Sequence, residues 1–247
     1  MKKTLSFLLL GLLCLCCSIP LQAAESNNPL LQFISGSTIY FPHIAVTTDG
    51  SQNPPWDTEI AIINAAGETA DGTLSWHDGS GAELGHRAVS LAKFGRYQAD
   101  VGRDFTDPDK IAYMIFSSKT IGIRGYTKFF RPGLMRATIA ASIPRSNGIF
   151  SKLDDQGWNG IAFINTSDQP ATVTLTAYDD SGKEKKLAIY SNGSKLDPKN
   201  LPVKPGAKEV WPVTSDTATY MVFTSDQPIV GFFLNGTGEM LDGLAAQ

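Results

Sequence analysis

The sequence predicts an all-β protein: two tandem antiparallel β-sandwich domains, immunoglobulin-like in size and related by an internal repeat. Three observations carry this. Apolar residues alternate with period two, as in Ala70–His77, where Ala70, Gly72, Leu74 and Trp76 share one face. The phrase W-D-T-E-I-A-I-I-N at Trp56–Asn64 returns as W-N-G-I-A-F-I-N at Trp158–Asn165. Finally, 23 glycines and 14 prolines divide the chain into short runs, and none of these after the first 24 residues has a helical period.

The first segment stands apart. Lys2 and Lys3 precede an apolar run, Leu5–Ile19, that is shorter than the roughly 20 residues a membrane span needs. Pro20 ends the run and Ala23-Ala24 offers small residues for cleavage, so residues 1–24 read as a secretory signal peptide. Cys14, Cys16 and Cys17 are the only cysteines and all fall within it; none follows the small residue that lipidation requires. The remaining chain therefore has no disulfide framework and must be held by buried cores. The expected location is outside the cytoplasm, periplasmic or extracellular, with no transmembrane segment.

Sliding the chain by 101 residues superposes Asn64 on Asn165, Thr73-Leu74 on Thr174-Leu175, Asp78 on Asp179 and Ser80-Gly81 on Ser181-Gly182. Sliding by 107 brings A-Y-M-I-F-S-S (112–118) onto T-Y-M-V-F-T-S (219–225). The change of shift places an insertion near 185–205, whose Asn192-Gly193, Pro198, Pro202 and Pro205 read as a surface loop. The resulting domains are 25–145 and 146–247. In each, an alternating strand (Ala70–His77, Ala171–Tyr178) runs into D-G-S-G or D-D-S-G, a hairpin turn opened by Asp and closed by a Gly free to take positive φ.

Two strands per copy break the alternation. Ile60–Ile63 and Ile161–Ile164, like Tyr113–Phe116 and Tyr220–Phe223, are apolar on both faces. Such a strand must be covered twice: by the facing sheet, and by the other domain, a partner or an added layer. Domain–domain packing is the expectation.

Catalytic signals are weak. Ser80, His77 and Asp78 make a triad only on paper, since no nucleophile elbow surrounds them and the second copy has Tyr178 where His77 stands. His77 reads as a solvent-exposed strand residue. Asp179, Asp180 and Glu184 lack the spacing of a calcium loop, and no H-E-x-x-H, P-loop or dinucleotide fingerprint is present. No cofactor is expected. Trp56, Trp76, Trp158 and Trp211 are expected in cores; Trp56 and Trp158 exposed on one face would instead suit sugar stacking.

Charge is unevenly placed. Residues 111–153 hold seven bases and no acid, while 25–110 hold 12 acids and five bases and 154–247 hold 12 acids and seven bases. Within I-G-I-R-G-Y-T-K-F-F-R, alternation puts Arg124, Tyr126, Lys128 and Phe130 on one face, with Arg131 and Arg136 close by. The equivalent stretch of the second copy, 228–243, has two acids and no base. The fold therefore does not require the positive charge. The plainer reading packs this strip against the acidic second domain or leaves it solvated. The functional reading gives it an anionic partner, an acidic polysaccharide, a cell surface or an acidic protein, with Arg124, Tyr126, Lys128, Phe130, Arg131 and Arg136 as binding residues. Nucleic acid is not expected for an exported chain of net negative charge.

The F-P-H-I-A motif (41–45), the W-x-T-x-I-x-I-x-N phrase, the G-Y-T-K-F-F run (125–130) and the second W-x-G-I-A resemble a group of uncharacterised secreted bacterial proteins with tandem β-rich repeats, across about residues 38–245. The resemblance implies an exported, repeated β fold and no catalytic residue. The expectation is a non-catalytic exported binding or structural module. A periplasmic assembly factor or chaperone for surface structures, and a polysaccharide-acting hydrolase, are the alternatives.

Overall fold

A computed structural model describes residues 37–153, 157–237 and 240–247. The expected signal peptide and its cysteines lie outside these residues. No helix among them is long and apolar enough to cross a membrane.

The first half contributes β1 (Ser37–Phe41), β2 (Asp57–Asn64), β3 (Ala70–His77), β4 (Glu83–Leu91), β5 (Arg96–Asp100), β6 (Tyr113–Ser118), β7 (Ile123–Arg131) and β8 (Met135–Ala140). One helical turn, α1 (Val101–Asp104), is capped by the Asp100 side chain, which accepts from the Arg103 N–H. The strands form two antiparallel sheets, ordered β1-β6-β3-β4 and β5-β2-β7-β8. Their inward residues, among them Ile39, Phe41, Ile60, Ile62, Leu74 and Phe116, make one core. This is the sandwich the alternation predicts.

The second half contributes β9 (Arg145–Phe150), β10 (Trp158–Asn165), β11 (Ala171–Tyr178), β12 (Glu184–Lys185), β13 (Leu187–Ser191), β14 (Ser194–Leu196), β15 (Leu201–Val203), β16 (Lys208–Ser215), β17 (Tyr220–Gly236) and β18 (Leu241–Ala245). β17 is 17 residues long and is interrupted by a bulge between Thr224 and Ile229. Its first part lies between β11 and β9, and its last part between β10 and β18. The orders β12-β11-β17-β9 and β16-β10-β17-β18 thus mirror β4-β3-β6-β1 and β5-β2-β7-β8. Registers agree too: Leu74 faces Phe116 as Leu175 faces Phe223, and Asn64 faces Ile123 as Asn165 faces Ile229.

Matching side chains do matching work. Asn64 is fully buried; its amide donates to the Glu68 (2.7 Å) and Ala92 (3.0 Å) carbonyls, and its oxygen accepts from the Ala66 N–H (2.9 Å). Asn165 donates to Gln169 (2.7 Å) and Val203 (3.1 Å) and accepts from Ser167 (3.0 Å). Asp78 and Asp179 each cap their hairpin by accepting two backbone N–H groups, from Ser80 and Ala82 and from Ser181 and Lys183. Gly125 and Gly231 stand where a Cβ would collide with Phe41 and Phe150 respectively.

The segment at 185–205 is not the plain loop its prolines suggest. It carries β13, β14 and β15, with β13 extending the sheet beyond β16 and burying Ile189. Three- to five-residue strands leave too short a pattern for alternation to register.

The two sandwiches pack on each other. The face of β10 and the end of β17 that points away from their own core carries Ala162, Ile164, Val230 and Phe232, all buried. It lies against Tyr40 and Tyr113 at one end and Phe129, Ala137 and Ile139 at the other. The second apolar face of Ile161–Ile164 is therefore covered by the other half of the chain. That of Ile60–Ile63 is not: Ala61 is buried beneath neighbouring side chains, and Ile63 is half-buried.

Candidate binding face

Because β2, β7, β8 and β5 are neighbours, side chains of alternate residues form rows across the sheet. Cross-strand register places Ala61 between Tyr126 and Gln98, Glu59 between Lys128 and Asp100, and Arg136 opposite Phe130. Arg124, Tyr126, Lys128, Phe130 and Arg136 thus share the outward face of the first sandwich. Arg124 and Arg136 are exposed; Tyr126, Lys128 and Phe130 are half-buried.

The row has an organising acid. The Lys128 ammonium donates to Glu59 Oε2 (2.9 Å), and the Tyr126 hydroxyl to Glu59 Oε1 (3.0 Å). Arg96 reaches the same carboxylate at 3.7 Å and donates to the Tyr126 hydroxyl at 2.5 Å. Partial burial would raise the Glu59 pKa; the bonds from Lys128 and Tyr126 outweigh it and hold the carboxyl below its ordinary range. Tyr126 is raised, first by desolvation and then by the Glu59 charge. Glu59 neutralises one of the bases and fixes their positions; Arg124 and Arg136 keep their charge toward solvent.

Arg131 turns away from the row. Its Nε donates to the Pro54 carbonyl (3.0 Å) and its guanidinium lies 5.9 Å from the Trp56 ring centroid. It still lines a groove of about 600 Å³ at the β7–β8 turn, walled by Lys128, Phe130, Leu134, Arg136, Met240 and Asp242. Leu134 and Met240 are exposed there. Four of the six sequence-derived binding residues meet in this groove. Its walls combine cations with apolar surface, a chemistry suited to an anion presented on an uncharged backbone.

The histidines and tryptophans fall differently from expectation in two places. His77 is not solvent-exposed but half-buried, stacked on Tyr113 at 5.0 Å with the rings 5° apart. Trp158 is 51 % exposed rather than a core plug, because it stands at the first residue of β10 on the face away from the second core, lying over Gly236. Trp56 packs with Phe129 in the cluster between the halves, Trp76 lies under Arg87, and Trp211 is buried in the second core. Asp179 pairs with Lys185 at 2.7 Å, so it serves its hairpin.

Sequence reasoning missed Arg96 and Glu59. Both lie in the acidic stretch 25–110, and only the pairing of β5 and β7 with β2 brings them to the row. A comparison with family models, with curated proteins and with solved structures finds no match.

Proposed function

We propose that the chain is a non-catalytic exported binding or structural module, built from two copies of one β-sandwich unit, that engages an anionic partner through the outward face of β5-β2-β7-β8. One observation carries the reading. The same face of the second copy, on β16-β10-β17-β18, is the docking surface for the first half. In the first copy no other part of the described chain covers it, and it bears Arg124, Lys128 and Arg136. A position that a fold buries in one copy and charges in the other has been released from packing and given to contact.

The test is retention on immobilised dextran sulfate across a salt series. Binding should weaken steeply as salt rises, because exposed charges are screened within about 10 Å at 0.1 M ionic strength. Arg124→Ala/Lys128→Ala should lose it while thermal unfolding stays cooperative. Salt-independent retention, or none, would overturn the reading.

A further inference from the structure

The interface inside the chain has two sides, and each sandwich possesses both. The pressing side of the first sandwich is the stacked His77–Tyr113 pair, Tyr40 and the hairpin at 78–81. The receiving side of the second is the β10–β17 face and the turn at 204–207. The Tyr113 hydroxyl donates to the Gly206 carbonyl (2.7 Å), the Lys208 backbone N–H to the Gly79 carbonyl (3.0 Å), and the Lys208 ammonium to the Ala112 carbonyl (2.8 Å).

Among the described residues, one surface of each kind is left unused. On the second sandwich, register places Tyr178, stacked on Tyr220 at 5.4 Å, where the first has His77 on Tyr113. Ile149, 44 % exposed, stands for the buried Tyr40. The unused receiving face is the basic row of the first sandwich.

The two unused surfaces differ from the used ones in complementary ways. On the receiving side Arg124, Lys128 and Arg136 replace Val230, Leu234 and Leu241. On the pressing side Asp180 replaces Gly79; Asp242 replaces Ala137 but lines the same groove as Lys128 and Arg136. Asp180 is exposed at its hairpin tip, and Asp242 is paired with Lys152 at 3.0 Å. Bases appear on one side and an exposed acid at the hairpin tip of the other, as in a charge-matched version of the same contact.

A third replacement points the same way. The turn 92–95 matches 204–207: Asn64 N–H donates to the Gly95 carbonyl as Asn165 N–H does to Ala207. This puts Phe94 in the place of Gly206. Phe94 has φ +56° and is 66 % exposed, an unfavourable backbone for an aromatic residue whose ring lies mostly in solvent beside the Lys93 ammonium (5.3 Å). A Cβ at Gly206 would meet Gly81 Cα at 3.6 Å, an ordinary contact.

We propose that the partner of the basic face is a second copy of this chain, docked head-to-tail, with the second sandwich of one molecule pressing on the first sandwich of the next as the two halves press within the chain. The inference rests on the reading of that face as a binding face. The contact joins different surfaces and does not close on itself, so it propagates into open chains of molecules.

Sedimentation of the purified protein from micromolar to sub-millimolar concentration tests this. The mass should climb with concentration and fall with added salt. Asp180→Arg disables the pressing side and Arg124→Glu the receiving side, each weakening association about tenfold or more. Mixed together, the two variants retain one good surface each and should form the heterodimer that neither can make alone, and the two reversed surfaces, again of opposite charge, should let it grow. Phe94→Gly should weaken association without loss of folding. A wild-type chain that stays monomeric overturns the inference, as does association indifferent to both charge reversals or a mixture that yields no heterodimer. Monomeric protein that is still retained on dextran sulfate in a salt-dependent way defeats the head-to-tail contact alone and leaves the anionic-partner reading standing.

Discussion

Lys208 Nζ lies 3.3 Å from His43 Nδ1, and no carboxylate among the described residues pairs with it: its ammonium rests on a carbonyl, an imidazole and, at 5.1 Å, the ring of Phe232. The pair joins F-P-H-I-A of the first half to the start of β16. Desolvation pushes Lys208 down to about 7, and burial followed by the Lys208 charge pushes His43 well below its ordinary value.

Both shifts disfavour protons in the folded state, so the unfolded chain binds more of them and stability rises with pH. For Lys208 the rise begins near pH 7 and continues toward the lysine's ordinary value; for His43 stability is lost as pH falls below about 6.5. Thermal unfolding should therefore show a higher midpoint at pH 9 than at pH 7. Lys208→Met should flatten that slope and raise stability at pH 7. The Ala112 carbonyl keeps its bond from the Ile44 N–H (3.2 Å) in the variant, so no acceptor is orphaned. An unchanged slope would show that Lys208 is not the titrating group.

Asn64 and Asn165 clamp equivalent turns from inside the protein. Asn→Ala at either position strands the N–H of Ala66 or Ser167 and removes a donor from the Glu68 or Gln169 carbonyl, while the Ala92 carbonyl keeps its bond from the Gly95 N–H (2.7 Å). Each should cost about 2–3 kcal/mol in urea unfolding, from the desolvation of unpartnered groups. Similar losses at the two sites are the expected signature, since each amide holds the carbonyl four residues on and each side-chain oxygen accepts the N–H two residues on.

Glu59→Gln removes the carboxylate that holds Lys128 and Tyr126 while keeping an acceptor of the same shape. The face gains one net positive charge. Retention on dextran sulfate should strengthen a few-fold, as expected for about 1 kcal/mol of surface charge, and depend more steeply on salt. Isothermal titration across a salt series separates the two effects.

Phe94→Gly should stabilise the isolated chain by about 1 kcal/mol, because a left-handed backbone costs a side-chain-bearing residue roughly that much. Calorimetry on dilute protein measures it. A loss of stability would mean that the ring packs within its own molecule.

Much of this architecture was legible in the chain. Alternation revealed β3 and β11, the shifts of 101 and 107 align strands that hold like places in the two sheet orders, and each Asp-x-Ser-Gly stretch marked a hairpin. The basic row was legible because Arg124, Tyr126 and Lys128 obey period two. What it lies beside was not, because Glu59 and Arg96 reach it through strand pairing across 69 and 30 residues of chain. Trp158 misled because alternation names a face without telling which layer covers it. The short strands of 185–205 gave too few residues for any period to emerge.

The long strand β17 has a mechanical consequence. It passes through a bulge from one layer of the second sandwich into the other, where the first sandwich connects the same two layers, β6 and β7, through the residues 119–122. The crossing residues 226–228 lie outside the strand registers and are held instead by the Thr166 N–H on the Pro228 carbonyl (3.2 Å) and the Thr172 N–H on the Asp226 side chain (2.7 Å). Sliding the two layers past each other in the second sandwich would have to break these two bonds, which tie the crossing to the turn after β10 and to β11.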